Sequence, residues 1–301
     1  MAHPTVSIGL PVYNGEEYLP NALDSLLRQN YEDFELIISD NASTDRTPDI
    51  CRAYSAKDRR IRYYRSEVNR GAVWNFKRVF ELARGKYFKW AAHDDECYPS
   101  MVRCCVDMLD QTPTSVVLVY PRGEIIDECG NVFNSPKDHI ASSATQPHLR
   151  VAHIFRQLHL GYPFYGLIRS EILRKTRGYV HIAADWVLFV ELAMWGEIRE
   201  IPEVLFRVRR HPDCAMHANK TRRAMEAWHD PSRKNLRVLL PFRLALMIEY
   251  LKSVHNTQLS PIDKALCFIT VFALPPWEYF RAVAGKQKEE FQRILNLWRR
   301  S

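Results

Sequence analysis

The stretch VSIGLPVYNGEEYLPNALDSLLRQNYEDFELIISDNASTD, residues 6–45, decides the fold class. Thr5 to Leu10 is a short β-rich run closed by Pro11, and Asn14-Gly15 supplies the turn after it. Leu19, Ala22, Leu23, Leu26 and Leu27 then recur at helical spacing on one face. Phe34 to Ser39 is an apolar run of buried-strand length. It ends in Asp40-Asn41-Ala42-Ser43-Thr44-Asp45, a cluster of turn formers and helix caps. Continuously apolar strands separated by a helix are the mark of a parallel sheet covered on both faces.

Outward from this stretch the alternation continues. A helix starts at Pro48, a strand covers Ile61 to Tyr64, and Asn69-Arg70-Gly71 makes a turn. Val73 to Ala83 reads as a helix with Gly85 as its cap. Tyr87 to Ala91 is a fourth strand running into His93-Asp94-Asp95-Glu96. Met101 to Leu109 is helical, and Ser115 to Tyr120 is a fifth strand. This predicts a doubly wound α/β sheet. In such sheets ligands sit beyond the C-terminal strand ends, where Asn14, Asp40, Asp94 and Asp95 fall. Past residue 121 the pattern loosens. A hairpin around Gly130-Asn131 and a polar loop at 135–148 come first. A helix from Val151 to Leu160 and a strand from Phe164 to Ile168 follow. An amphipathic helix from Ala184 to Trp195 is opened by Asp185. Short strands at Ile198–Ile201 and Val204–Val208 lead to Arg209-Arg210-His211.

Composition bounds the function. With 301 residues, 47% apolar and 26% charged, the chain is an ordinary globular protein. No apolar run reaches the ~18 residues that span a bilayer. No basic n-region opens the chain, so no signal peptide is expected. Seven cysteines without a C-x-x-C pair suit neither a disulfide framework nor a zinc ribbon, and a reducing cytoplasm is the expected compartment. From Met216 to Ser301 there are 15 basic and 7 acidic residues, +8 of the net +7, which leaves −1 on residues 1–215. The expected organisation is therefore a near-neutral body, 1–215, and a basic helical region, 216–301.

Gly9-Leu10-Pro11-Val12-Tyr13-Asn14-Gly15 contains neither a dinucleotide fingerprint nor a P-loop, which argues against a dehydrogenase or a P-loop NTPase. Phosphate charge would then be neutralised most simply by a divalent cation. Asp94-Asp95-Glu96 at a strand end offers the hard oxygen ligands that magnesium or manganese prefers. Each of these acids, and Asp185, also makes a good turn or helix-cap residue when taken alone.

Their order and context resemble family 2 glycosyltransferases with the GT-A fold. The resemblance rests on Pro-Val-Tyr-Asn, the Leu-x-Ser-Leu-Leu-x-Gln helix, Phe-Glu-Leu-Ile-Ile and Asp-Asn-Ala-Ser-Thr-Asp. It continues through Asn69-Arg70-Gly71, Asn75, His93 to Glu96 and Ala184-Asp185-Trp186, and ends at Phe206 to His211. It covers about residues 4–215, and implies a glycosyltransferase domain over 1–215 in which 1–120 binds the nucleotide sugar and 121–215 the acceptor. It implies an inverting enzyme using a nucleoside-diphospho sugar, with Mn²⁺ or Mg²⁺ as cofactor. Pro11, Tyr13, Asn14, Asn69, Gly71 and Asn75 would line the donor pocket. Asp40 would accept from the N–H of a uracil or thymine base, so the donor would be a UDP- or dTDP-sugar. Asp94 and Asp95 would meet ribose and metal, Asp95 and His211 would ligate the metal, and Asp185 would be the catalytic base. Many relatives read Asp-x-Asp-Asp at the acidic motif, whereas position 92 here is Ala. The acceptor pocket is expected from Tyr162 to Gly166 and the 135–148 loop.

The acceptor is expected to be a saccharide or a lipid-linked sugar in surface polysaccharide or glycolipid synthesis. The competing classes are a sugar-phosphate nucleotidyltransferase, which lacks its Gly-rich loop here, and a basic nucleic-acid or membrane module. No nucleic-acid motif is present, and nucleic acid is not an expected partner. Phe291, Ile294, Leu295 and Trp298 fall on one helix face, with Arg293, Arg299 and Arg300 off it. Trp277, Tyr279 and Phe280 precede them. That stripe suits the inner face of an anionic membrane, a second subunit in a homo-oligomer, or the enzyme's own core.

Overall fold

In the computed structural model, residues 3–180, 183–214, 221–233 and 241–274 are described. The aromatic stripe at 277–298 lies outside them. The nucleus is three parallel strands: β1 (Val6–Val12), β2 (Phe34–Asp40) and β3 (Ile61–Arg65). Every residue of β1 and β2 is buried, as their unbroken apolar runs predict. Helices α1 (Leu19–Leu27), α2 (Thr47–Lys57) and α3 (Ala72–Glu81) connect them in the right order for a doubly wound sheet. β4 (Tyr87–Trp90) pairs parallel with β1.

The sheet then changes character. β5 (Glu96–Cys97), α4 (Met101–Gln111), β6 (Val116–Ile126) and β7 (Val132–Asn134) follow. After them come α5 (Pro147–Gln157), a 3-10 turn at Tyr162–Tyr165, β8 (Leu167–Arg169), α6 (Ser170–Leu173), α7 (Ala184–Trp195) and β9 (Glu197–Arg209). The strand order is β3-β2-β1-β4-β8-β6-β9-β5, with β7 on β6. β8 runs antiparallel between β4 and β6, and β9 is parallel to β6 but antiparallel to β5. This mixed sheet carries the β4–β5 loop and the end of β9 to one place.

Several sequence expectations need correcting. The strand expected from Phe164 starts only at Leu167, because Pro163 and the left-handed Gly161 turn the chain into a 3-10 segment first. The two short strands at 198–208 are one strand, β9, which stays paired with β6 across register shifts near Pro121. Gly85 does not cap α3. It lies against β1, where its N–H meets Ser7 Oγ (2.8 Å), and the helix closes at Leu82. Nor is α7 amphipathic: Val187 to Met194 are all buried, because further helices cover its outer side.

Those helices belong to the C-terminal region. After α8 (Arg222–His229), α9 (Phe242–Asn256) packs on α7, and α10 (Pro261–Ala273) packs on α5 and α9. Leu246, Tyr250, Val254, Cys267 and Val271 join the main apolar core. The change in charge at residue 215 therefore does not mark a break in packing for 242–273. One ion network ties the layers together. Buried Glu191 on α7 accepts from Arg177 N (2.8 Å), Arg177 Nε (2.7 Å) and Ser253 Oγ (2.8 Å). Arg177 also pairs with Glu249 on α9 (2.7 Å). Glu191→Ala leaves the guanidinium short of its deepest partner, which costs about 3 kcal/mol. Urea unfolding should show a loss of that size in unfolding free energy, with the midpoint moved to lower urea. A change of a few tenths of a kcal/mol would mean that the network is incidental.

Candidate active site

Three loops at the C-terminal ends of β1, β2 and β3 knit into a rim. Asn14 Oδ1 accepts from Thr44 N–H (2.8 Å), and its own N–H donates to Ser43 Oγ (2.9 Å). Asn41 donates to Asn69 Oδ1 (2.9 Å) and receives the Arg70 N–H (2.9 Å). Asn69 Oδ1 also accepts from Gly71 N–H (2.9 Å). Gly71 adopts φ 84°, and a side chain there would strike the His229 carbonyl at the end of α8. Asn75 reaches under the rim, donating to Ser39 O (2.9 Å) and Val12 O (3.3 Å). Asn14, Asn69, Gly71 and Asn75 thus build the walls, tied both to backbone and to the side chains of neighbouring loops. Pro11 is buried within β1, and Tyr13 is exposed on the rim.

Asp40 lies at the base of this pocket with its side chain 0% exposed. It accepts from Ser43 N–H (2.8 Å), Tyr63 OH (2.9 Å) and Arg65 Nε (3.1 Å). Arg65 is the solvent-facing member of this group, so a ligand approaching Asp40 must displace it.

The acidic motif forms the next wall, and β9 holds it there. Asp94 Oδ2 stands 3.0 Å from His211 Nε2. Asp95 Oδ1 accepts the backbone N–H of Arg209 (2.9 Å). The Arg209 guanidinium is almost fully buried. It donates to the carbonyls of Asp94, Asp127 and Glu128 at 3.0–3.1 Å and pairs closely with Glu96. It also lies over the Tyr18 ring (5.0 Å), and that ring packs on His211 (4.6 Å). His211 therefore joins Asp94, not Asp95 as expected for a metal pair. The two carboxylates titrate apart. Burial, reinforced by the Asp94 charge, pushes Asp95 well above the usual carboxylate range. Asp94 stays below it, because His93 and the His211 hydrogen bond outweigh burial.

Across the cleft, Asp185 is the second residue of α7, not its cap; the cap is Ala183, at φ 58°. Burial pushes the Asp185 carboxyl up to about 7, against the first-turn N–H groups of Asp185 and Trp186. Tyr165 connects the two sides. Its hydroxyl feels the charges of Asp95, Asp94 and Asp185, which with burial raise its pKa far above normal. Tyr165 and Arg209 were legible only as members of expected segments, since neither stands out by type. Asn14, Ala42 and Ala183 are the positive-φ non-glycine residues among those described, and all three flank this cleft. Backbone strain of that kind collects at functional sites.

Among the described residues no three His, Cys, Asp or Glu cluster at metal-ligating spacing. The donor set still fits magnesium or manganese. Such ions take one or two carboxylates and complete their shell with phosphate and water. Asp95 is buried beside Asp94, whose charge raises its pKa, and a bound cation would favour ionisation of both.

The geometry agrees with comparison to other proteins. A profile described as Glycosyl transferase family 2 matches residues 7–177. An uncharacterized protein of Mycobacterium tuberculosis is 32% identical over 219 residues, 70% of this chain and 60% of that protein. An uncharacterized glycosyltransferase of Rickettsia typhi is 34% identical over 125 residues, 42% of this chain and 38% of that protein. The chain spans less than two-thirds of the length of either. Among solved structures, Staphylococcus aureus TarS 1–349 in complex with UDP-GlcNAc has a TM-score of 0.57 at 16% identity, covering 95% of this chain and 92% of that one. The mannosyltransferase PcManGT from Pyrobaculum calidifontis, in complex with GDP-Man and Mn²⁺, has a TM-score of 0.55 at 16% identity, covering 99% and 81%. At such identities the likeness is one of fold, the GT-A arrangement. With its mixed sheet, its acid pair at the end of β4 and a family match over more than half its length, the chain belongs to glycosyl transferase family 2.

Proposed function

We propose that the protein transfers a single sugar from a UDP- or dTDP-sugar to an acceptor hydroxyl, with inversion at C1. The observation that carries this reading is that the Asp94–Asp95 pair and a separate raised-pKa carboxylate, Asp185, all act electrostatically on the one Tyr165 hydroxyl. The ligands of TarS and PcManGT support the donor class and the metal. Mn²⁺ or Mg²⁺, held by Asp95 with Asp94 and His211 nearby, would offset charge growing on the leaving diphosphate. Asp185 takes the proton of the acceptor hydroxyl as that oxygen attacks. Its raised pKa matches this task, since a base titrating near neutrality binds the proton effectively. Asp40 accepts from the base N–H once Arg65 swings aside. A saccharide or lipid-linked acceptor enters over Tyr165. A nucleotidyltransferase or nucleic-acid module has no observation in its favour.

Asp185→Asn should lower transfer ~10²–10⁴-fold while UDP affinity holds. For the unmodified enzyme, turnover should rise with pH through a midpoint of about 7. A pH-independent rate between 5 and 8 would remove Asp185 as the base. Stability gives an independent check. A buried carboxyl with a raised folded pKa costs nothing below its unfolded pKa, and the cost grows as pH rises to about 7. Asp185→Asn should therefore raise the melting temperature at pH 8 and change it little at pH 4.

Asp95→Asn should weaken UDP binding in manganese far more than in EDTA, measured by calorimetry. Equal loss in both buffers would show that Asp95 is no metal ligand.

The location we propose is the inner surface of an anionic membrane. No helix among the described residues is long and apolar enough to cross a membrane. However, α10 leaves Ile262 (74%), Ile269 (60%) and Phe272 (60%) exposed. These positions share one helix face, and the basic, aromatic sequence of 275–301 follows directly. The full chain should co-sediment with anionic liposomes at low salt, and Ile269→Asp/Phe272→Asp should abolish this. Unchanged sedimentation of that variant would exclude α10 as the contact.

A further inference from the structure

The segment between β7 and α5 has no regular structure, yet one of its side chains is completely sealed. Asp138 is 0% exposed. Its Oδ1 accepts from three consecutive backbone N–H groups: His159 (2.6 Å), Leu160 (2.9 Å) and Gly161 (3.0 Å). Its Oδ2 also takes the Leu160 N–H (3.0 Å). Successive amides converging on one carboxylate form an anion nest. Burial still holds the Asp138 carboxyl above its ordinary pKa, so the site is costly for its charge.

What these amides begin is the turn that closes the active site. Gly161 sits at φ 78°, and a methyl group on it would collide with Asp185 Oδ2. The base thus rests against the bare Cα of the residue that Asp138 holds. The 3-10 turn Tyr162–Tyr165 follows at once and ends in Tyr165, whose hydroxyl feels the charges of both Asp185 and the acid pair. An anchor on three amides therefore controls one wall of the base and the side chain that bridges the cleft.

We infer that Asp138 is a positioning residue of the reaction, anchoring the His159–Tyr165 turn against Asp185 so that the base keeps its place. The inference rests on Asp185 acting as the base. A merely structural aspartate would close the loop with no effect on proton transfer, so the pH behaviour separates the two. The titratable groups that feel the Asp185 charge are Tyr165 from the turn, Tyr179 after α6 and Tyr250 on α9, and the first-turn N–H groups of Asp185 and Trp186 act on Asp185 in turn. Among the ionisable groups acting on Asp185, Asp138 contributes a negative charge that raises its proton affinity. Removing that charge moves the Asp185 titration to lower pH.

The test uses the full chain with Asp138→Asn and Asp138→Ala, beside Asp185→Asn. Three quantities are read: manganese-dependent hydrolysis of a UDP-sugar panel, UDP affinity, and the Asp185 carboxyl titration by ¹³C NMR. Asp138→Ala frees the turn and should lower kcat by about 10- to 100-fold with UDP affinity nearly unchanged. Asp138→Asn keeps an oxygen for the amides, so it should recover much of that rate while the Asp185 titration still moves down. Unchanged kcat and an unchanged titration in Asp138→Asn would overturn the inference, even if the alanine variant failed to fold. A parallel fall of kcat and UDP affinity in both variants would overturn it too, as general loss of structure. Full turnover in Asp185→Asn would sink the base assignment instead, and the NMR arm would still show whether Asp138 acts on Asp185.

Discussion

Two carboxylates in adjacent positions, both withdrawn from water, set the terms for the rest of this structure. Asp94 and Asp95 repel each other in a setting where screening is weak. What keeps them there is the end of β9. The Arg209 N–H holds one carboxylate, its guanidinium holds the Asp94 carbonyl and Glu96, and His211 meets the other carboxylate. None of these contacts neutralises Asp95, whose pKa remains high. The Asp95 carboxyl therefore keeps its proton where an exposed carboxylate would have lost it.

The same requirement explains why the sheet changes direction. A purely parallel sheet would leave the β4–β5 loop with backbone on one side only. The antiparallel insertion of β8 and the length of β9 bring thirteen residues of strand past β6 and back to β5. Arg207 and Arg209, two apart on β9, reach the same edge and share Glu96. α7 is held from the other direction. The C-terminal helices bury its outer side, so Asp185 starts a helix with little freedom to move. Rigid elements on both sides of a cleft preserve a reacting geometry better than loops do.

Much was legible in the residues. Continuous apolar runs at 6–12 and 34–40 announce buried parallel strands, and the polar clusters after them mark the ligand edge. Local chemistry was enough there, because each run is short, periodic and punctuated by turn formers. Asp94, Asp95, Asp185 and His211 were singled out through their order along a recognisable pattern, and the structure gathers Asp94, Asp95 and His211 at the ends of β4 and β9. The loosely patterned second half was read less well. Phe164 to Ile168 looks extended by composition, but Pro163 and a left-handed Gly161 make it turn first. α7 was expected to be two-faced, since its covering helices lie more than forty residues downstream.

The sequence by itself determined the class of fold and the residue types that gather at the C-terminal ends of the first strands. Those properties follow from hydrophobic period and turn chemistry, which act over a few residues. Only the tertiary structure decided which acid pairs with His211, that Asp40 is roofed by Arg65, and that Asp138 in an unpatterned loop supports the chain beside Asp185. Each of these joins positions 20 or more apart in the chain, and their energies depend on burial. A carboxylate has the same formula in a surface turn and in a sealed nest of amides. Its charge, its pKa and its role depend on what is packed around it.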